Sequence, residues 1–139
     1  MTDAELLGKK LAEVETYVRE LRDLVLPEAL ERDLLVQRFV ERTLQIAIQA
    51  ALSAASHIVS DERLGEPKTN RELFLILSRR GWIPETLAAD LARMAGFRNL
   101  LVHDYGDIDM TLVRNVLEHH LDDLLEFVQV IRRKLSADS

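Results

Sequence analysis

Four side chains with very different functional groups fall within eight residues, in the segment R-N-L-L-V-H-D-Y. They are the guanidinium of Arg98, the amide of Asn99, the imidazole of His103 and the phenol of Tyr105. Imidazole suits proton transfer near neutral pH, and a planar guanidinium can engage two phosphoryl oxygens at once. The segment is therefore a candidate site for acid–base chemistry on a phosphate.

Helical geometry separates the members of this group. Arg98 and His103 lie about 140° apart around an ideal helix and do not share a face, whereas Asn99 and His103, four residues apart, do. Arg98 and Tyr105 instead fall near the apolar stripe that includes Met94. An arginine on such a stripe is costly to bury unless it has a partner or opens onto a cleft.

Amphipathic helices precede the segment. The first has a 4-3-4-3-4 apolar spacing and is ended by Pro27. A second begins just beyond Pro27 and runs to about Val59; residues 46–58 are rich in alanine and leucine and are expected to be buried or at an interface. The apolar stripe of the first helix comprises Leu7, Leu11, Val14, Val18, Leu21 and Val25.

Three further helices follow the loop at residues 60–68. Thr69 and Glu72 have the spacing of a capping box and open a short helix that closes at Gly81. Pro84 opens the fourth helix, which carries the candidate site and is broken at Gly106. Asp107 or Asp109 caps a fifth and last helix, with the stripe Val113, Val116, His120, Leu124, Phe127, Ile131 and Leu135.

The composition supports an all-α, up-and-down bundle of about five helices in a single domain spanning residues 1–139. Glycine and proline total only 8 of 139 residues, too few for the turns of a β sandwich or barrel. The chain has no cysteine, so disulfides and thiolate metal sites are excluded. A net charge of −6 argues against coating nucleic acid by bulk electrostatics. With charges near its N-terminus and no long apolar run, the protein is expected in the cytoplasm.

The candidate segment resembles a known signature. Arg-x4-His followed by x-Tyr is similar to the motif of the HEPN superfamily, and R-N-L-L-V-H-D-Y-G-D-I-D looks like its HepT branch, the toxin half of bacterial HepT/MntA toxin–antitoxin pairs. The similarity extends from about Leu30 to Ile131, through the segments ERTLQIAIQAALSAASHIVSD, NRELFLILSRRGWIP and VLEHHLDDLLEFV.

The resemblance implies a homodimeric endoribonuclease that uses no metal and no cofactor. Arg98 and His103 would be the catalytic pair, with Asn99 as a supporting polar residue. Tyr105 matches the tyrosine that the partner nucleotidyltransferase antitoxin modifies with AMP, which silences the toxin. Cleavage would leave a 2′,3′-cyclic phosphate, and a dimer would bring two copies of His103, one as base and one as acid.

Simpler interpretations exist for each residue. Arg98 could pair with Asp90 or Asp104 on the surface, and His103 could be a structural histidine. His119 and Asp123 have the spacing of two metal ligands, but two ligands without a third are poor support for a metal site.

Two other functions are open to the same sequence. One is a non-catalytic HEPN module that partners a nucleotidyltransferase, and the other is a structural helical adaptor in which the motif is coincidental. Loss of RNA cleavage on replacing Arg98 would distinguish the enzyme from both.

Overall fold

Six α-helices and one short 3-10 turn make up the computed structural model, which describes residues 3–104 and 106–137. The all-α prediction is confirmed, and the predicted number of five helices is wrong. The helices are α1 (Ala4–Leu24), α2 (Leu34–Asp61), α3 (Asn70–Arg79), α4 (Glu85–His103), α5 (Met110–His119) and α6 (Leu121–Ala137), with the 3-10 turn at Pro27–Ala29.

Helix α2 is the centre of the bundle, because α1, α3, α4, α5 and α6 all contact it. Its second half carries the alanines that the sequence predicted to be buried or at an interface, and these alanines are buried. Small side chains let neighbouring helices approach closely. The buried alanines of α2 are Ala47, Ala50, Ala51, Ala54 and Ala55.

The start of α2 differs from the prediction. The chain forms a 3-10 turn after Leu26 and begins α2 only at Leu34, seven residues beyond Pro27. The carboxylate of Asp33 accepts hydrogen bonds from the N–H groups of Leu35 and Val36, at 3.0 and 3.3 Å. A capping aspartate of this kind fixes where a helix begins. α2 therefore begins directly after Asp33 and not just beyond Pro27.

Helix α3 begins and ends as predicted. The Thr69 hydroxyl accepts the N–H of Glu72 at 3.3 Å, and the Glu72 carboxylate in turn accepts the N–H of Lys68. At the other end, Gly81 has a positive φ of 80°, and the N–H of Trp82 donates to the carbonyl of Leu77. This left-handed glycine is a common way to stop a helix.

The predicted fifth helix is divided in two at His120. His120 has φ −121° and ψ 0°, and its N–H donates to the Val116 carbonyl, which ends α5. Its imidazole Nδ1 lies 3.0 Å from a carboxylate oxygen of Asp123 in the first turn of α6. Apolar spacing continues through the break, since Val113, Leu124 and Phe127 are all buried, so periodicity alone could not locate it.

Helix α4, which carries the candidate site, is held on several sides. It contacts α2, α3 and α6, and its inward face buries Leu87, Ala88, Leu91, Met94, Ala95 and Leu101. In its last turn Leu101 alone is buried, and His103 is exposed. The core thus fixes the axis of α4 and leaves its C-terminal end at the surface.

Within the two ranges that the structure describes, no helix combines the length and the apolar character needed to cross a bilayer.

Two leucines test which contacts hold this fold. Leu124 is 0% exposed and Leu35 is 82% exposed. We expect Leu124→Ala to lower the free energy of unfolding by about 2–5 kcal/mol through lost burial and a cavity. Leu35→Ala, as the matched control, should change it by less than about 0.5 kcal/mol. Urea denaturation of both variants measures this, and equal losses would contradict the assignment of the core.

Candidate active site

The candidate residues lie on the last two turns of α4. Pro84 precedes the helix as its N-cap, and the helix continues to His103. Asn99 and His103 are both exposed, as expected for residues four apart on one face. Arg98 is only half-exposed and lies on a different side of the helix. One chain therefore presents His103 and Asn99 together, with Arg98 beside them and no hydrogen bond between Arg98 and His103 among the described residues.

Arg98 is a cation without a carboxylate partner in the described part of the chain. Its Nη1 donates to the Asn99 side-chain oxygen at 3.4 Å, and its buried Nε has no described hydrogen-bond partner. The alternative partner Asp90 pairs instead with Arg93. A buried N–H donor without an acceptor is unfavourable, and among the described residues the one hydrogen bond of the Arg98 side chain is the long one to the neutral amide of Asn99.

The chain turns sharply directly after His103. The N–H of Asp104 donates to the Leu100 carbonyl, and the N–H of Asp107 donates to the Asp104 carbonyl, both at 2.8 Å. Gly106 has a φ of 90°, a conformation that favours glycine. This turn keeps His103 at the exposed end of the helix. Tyr105 lies outside the described residues.

Two charged residues of α2 were missed by the sequence analysis. Glu41 is 1% exposed, and its Oε2 accepts a hydrogen bond from Arg38 Nη1 at 3.0 Å. A Cβ built on Gly106 would lie 3.3 Å from Arg38 Nη2, so this guanidinium lies against the turn that follows His103. Charged residues on a long helix are usually solvated, and no motif in the sequence singled this pair out.

The remaining charged candidates lie elsewhere. His120, and not His119, contacts Asp123, while His119 is exposed. Within residues 3–104 and 106–137, no group of three or more potential metal ligands occurs. Among the other arginines of the chain, Arg80 donates to the Leu64 carbonyl and Arg93 pairs with Asp90.

The arrangement has the parts needed for acid–base chemistry at a phosphate. An exposed imidazole lies five residues along the same helix from an arginine whose guanidinium has no described counter-ion, and a second arginine lies against the turn that follows the helix. Arginine binds phosphoryl oxygens in a fork, and imidazole exchanges protons near neutral pH.

Comparisons with known proteins point to one family of ribonucleases. A family model described as Ribonuclease HepT-like matches residues 12–131. The mRNA nuclease HepT of Shewanella oneidensis is 29% identical over 129 residues, covering 92% of this chain and 97% of that protein. The tRNA nuclease HepT of Aphanizomenon flos-aquae is 32% identical over 134 residues, covering 96% of this chain and 88% of that protein.

Structural comparison points to the same family as the sequence comparison. The tri-AMPylated HEPN toxin of Shewanella oneidensis, in complex with an MNT antitoxin, superposes with a TM-score of 0.86 at 29% identity, covering 96% of this chain and 99% of that one. The match to the family model spans most of the sequence, and it includes the Arg98–His103 segment. The chain therefore belongs to the HepT-like ribonuclease family.

Proposed function

We propose that this protein is a metal-independent endoribonuclease, the toxin of a toxin–antitoxin pair, acting in the cytoplasm as a single domain of residues 1–139. The observation that carries the proposal is Arg98, a cation without a described counter-ion, on the same helix end as the exposed His103. The names of the relatives support it, since two of them are called nucleases of mRNA and tRNA.

The proposed reaction uses the RNA's own 2′-hydroxyl as the nucleophile. A base removes the 2′-hydroxyl proton, the oxygen attacks the adjacent phosphorus, and the bond from phosphorus to the 5′-oxygen breaks. An acid protonates the departing 5′-oxygen. The products are a 2′,3′-cyclic phosphate and a 5′-hydroxyl, with no water, metal or cofactor consumed in this step.

Each motif residue has a separate role in this scheme. His103 exchanges protons with the 2′- or 5′-oxygen, and its position at the exposed end of α4 makes it accessible to a large substrate. Arg98 binds the phosphoryl oxygens and stabilises the extra negative charge of the transition state. Asn99 accepts a hydrogen bond from Arg98 and orients the guanidinium.

A homodimer would supply the second proton-transfer group. One chain has a single motif histidine, and a two-fold dimer that pairs the α4 ends brings two. It would also place two copies of Arg98 in one cleft, a local positive site on a chain with a net charge of −6. Leu100, 39% exposed between Asn99 and Leu101, is an apolar residue that such a contact would cover.

Regulation by a nucleotidyltransferase antitoxin is the second part of the proposal. A related toxin structure is described as tri-AMPylated and in complex with an MNT antitoxin. We place the modification on Tyr105, two residues from His103 in sequence. Added AMP would bring bulk and negative charge next to the cleft and would repel RNA.

Removing the imidazole tests the proposed catalysis. In excess EDTA, we expect wild-type protein to cleave RNA and His103→Ala to cleave at least about 100-fold more slowly, because proton transfer is lost. His119→Ala is the matched control, since His119 is another exposed histidine, and it should cleave at the wild-type rate. Intact mass must first show that Tyr105 is unmodified. Equal cleavage by wild type and His103→Ala would refute the assignment.

Mixed dimers test whether the site is shared between subunits. Dimers with one wild-type and one His103→Ala chain, purified by two different affinity tags, should retain less than about a tenth of the wild-type rate if both histidines act on one phosphate. A rate near one half would show that each subunit works alone.

A phenylalanine at position 105 tests the modification site. Tyr105→Phe should cleave RNA like the wild type, because the hydroxyl has no role in the proposed chemistry. Incubated with the antitoxin and ATP, it should gain no AMP by mass and stay active, while wild type is silenced. Silencing of the variant with AMP on another residue would overturn the assignment of Tyr105.

A further inference from the structure

Glu41 is a buried carboxylate that the proposed catalytic motif does not use. It lies on α2 and is 1% exposed. Its Oε2 accepts a hydrogen bond from Arg38, while its Oε1 is buried and has no partner among the described residues. Burying a carboxylate costs free energy unless it is paired and hydrogen-bonded, and only one of the two Glu41 oxygens has a partner among the described residues.

Stability is a weak explanation for the Arg38–Glu41 pair. Buried ion pairs are often replaced by apolar residues with no loss of stability, because the desolvation of two charges offsets their attraction. This pair is also asymmetric: the Arg38 side chain is 35% exposed and that of Glu41 is 0% exposed. The buried Glu41 carboxylate therefore holds the half-exposed Arg38 guanidinium in one place.

The Arg38 guanidinium lies against the turn that follows the proposed catalytic motif. Arg38 Nη2 lies 3.3 Å from where a Cβ on Gly106 would be. His103, the last residue of α4, is three residues before Gly106, and three residues of chain span at most about 11 Å. Arg38, on a different helix, therefore lies near the end of α4 that carries His103.

We propose that Arg38 binds a phosphate of the RNA substrate and that Glu41 is the positioning residue that orients it. This inference rests on the ribonuclease function proposed above and adds a residue outside the Arg-x4-His motif. RNA has a phosphate at every nucleotide, so a cation beside the cleaved bond can hold a neighbouring phosphate. A guanidinium already fixed by a carboxylate loses less side-chain freedom when it binds.

Kinetics and salt dependence test the role of Arg38. Arg38→Gln should raise KM for an RNA oligonucleotide about tenfold, as a lost charge-assisted contact does, and change kcat less than about threefold. In the inactive His103→Ala background, it should reduce the slope of log binding constant against log salt by about 0.7, the value of one lost phosphate contact. Arg42→Gln, an exposed arginine on the same helix, is the control and should change neither quantity.

The role of Glu41 is tested through Arg38. Glu41→Gln should raise KM about threefold, because an unfixed arginine has more freedom to lose on binding. If it acts only through Arg38, the double variant Arg38→Gln/Glu41→Gln should match Arg38→Gln within about twofold. Arg38→Lys, which keeps the charge, should retain the salt slope, and circular dichroism should show all variants folded.

Failure of the inference about Arg38 can be distinguished from failure of the proposed ribonuclease function. If wild type cleaves RNA and Arg38→Gln behaves like Arg42→Gln in both KM and salt slope, the inference about Arg38 is overturned and the ribonuclease function stands. If wild type neither binds nor cleaves RNA, the proposed function is wrong, and this inference is wrong with it.

Discussion

The packing of α4 against α2 is the contact on which the site depends. α2 contacts all the other helices, and its alanine-rich half lets them approach closely. α4 is fixed by its contacts with α2, α3 and α6, so its axis is set by the core, while its C-terminal end emerges at the surface. The same contact brings Arg38 of α2 against Gly106, directly after α4. A rigid scaffold that ends at a solvent-exposed turn positions reactive side chains without burying them.

The negative net charge of the chain explains why an RNA-binding site would have to be a small, local group of cations. With a net charge of −6, the chain as a whole has no overall attraction for a polyanion such as RNA. Some of its arginines pair with acids, as Arg22 does with Asp122 and Arg132 does with Glu15. Arg98 is not one of these: its described contact is with the neutral amide of Asn99, and its buried Nε has no described partner. A cation left without a carboxylate in an acidic protein is available to a phosphate.

The sequence predicted most of the helices because their signals are local. Apolar spacing identified the buried face of α1, and Thr69 and Gly81 marked the ends of α3, since caps act within a few residues. The break at His120 was missed because the apolar spacing is the same on both sides of it. The late start of α2 was missed because the cap at Asp33 competes with the proline signal, and the sequence does not rank the two.

The positions of the motif residues along one helix could be predicted from the sequence, whereas contacts between residues of different helices could not. Arg98, Asn99 and His103 are close in sequence, and the helix places them as expected. Whether Arg98 is paired could not be predicted, because that depends on which acids reach it, and Asp90 is taken by Arg93. From the sequence alone, Glu41 is indistinguishable from an ordinary charged residue on the surface of a helix. Its burial and its link through Arg38 to Gly106 arise only when α2 and α4 pack together.

The chemical groups on the cut RNA ends test most directly whether cleavage proceeds by attack of the 2′-hydroxyl without a metal. RNA digested by wild-type protein in excess EDTA should carry 2′,3′-cyclic phosphates and 5′-hydroxyls, detected by mass spectrometry of the fragments. Such ends require attack by the 2′-hydroxyl, which is the chemistry that an arginine and a histidine can support without a metal. Ends with a 3′-hydroxyl and a 5′-phosphate, or cleavage that EDTA abolishes, would contradict the central claim.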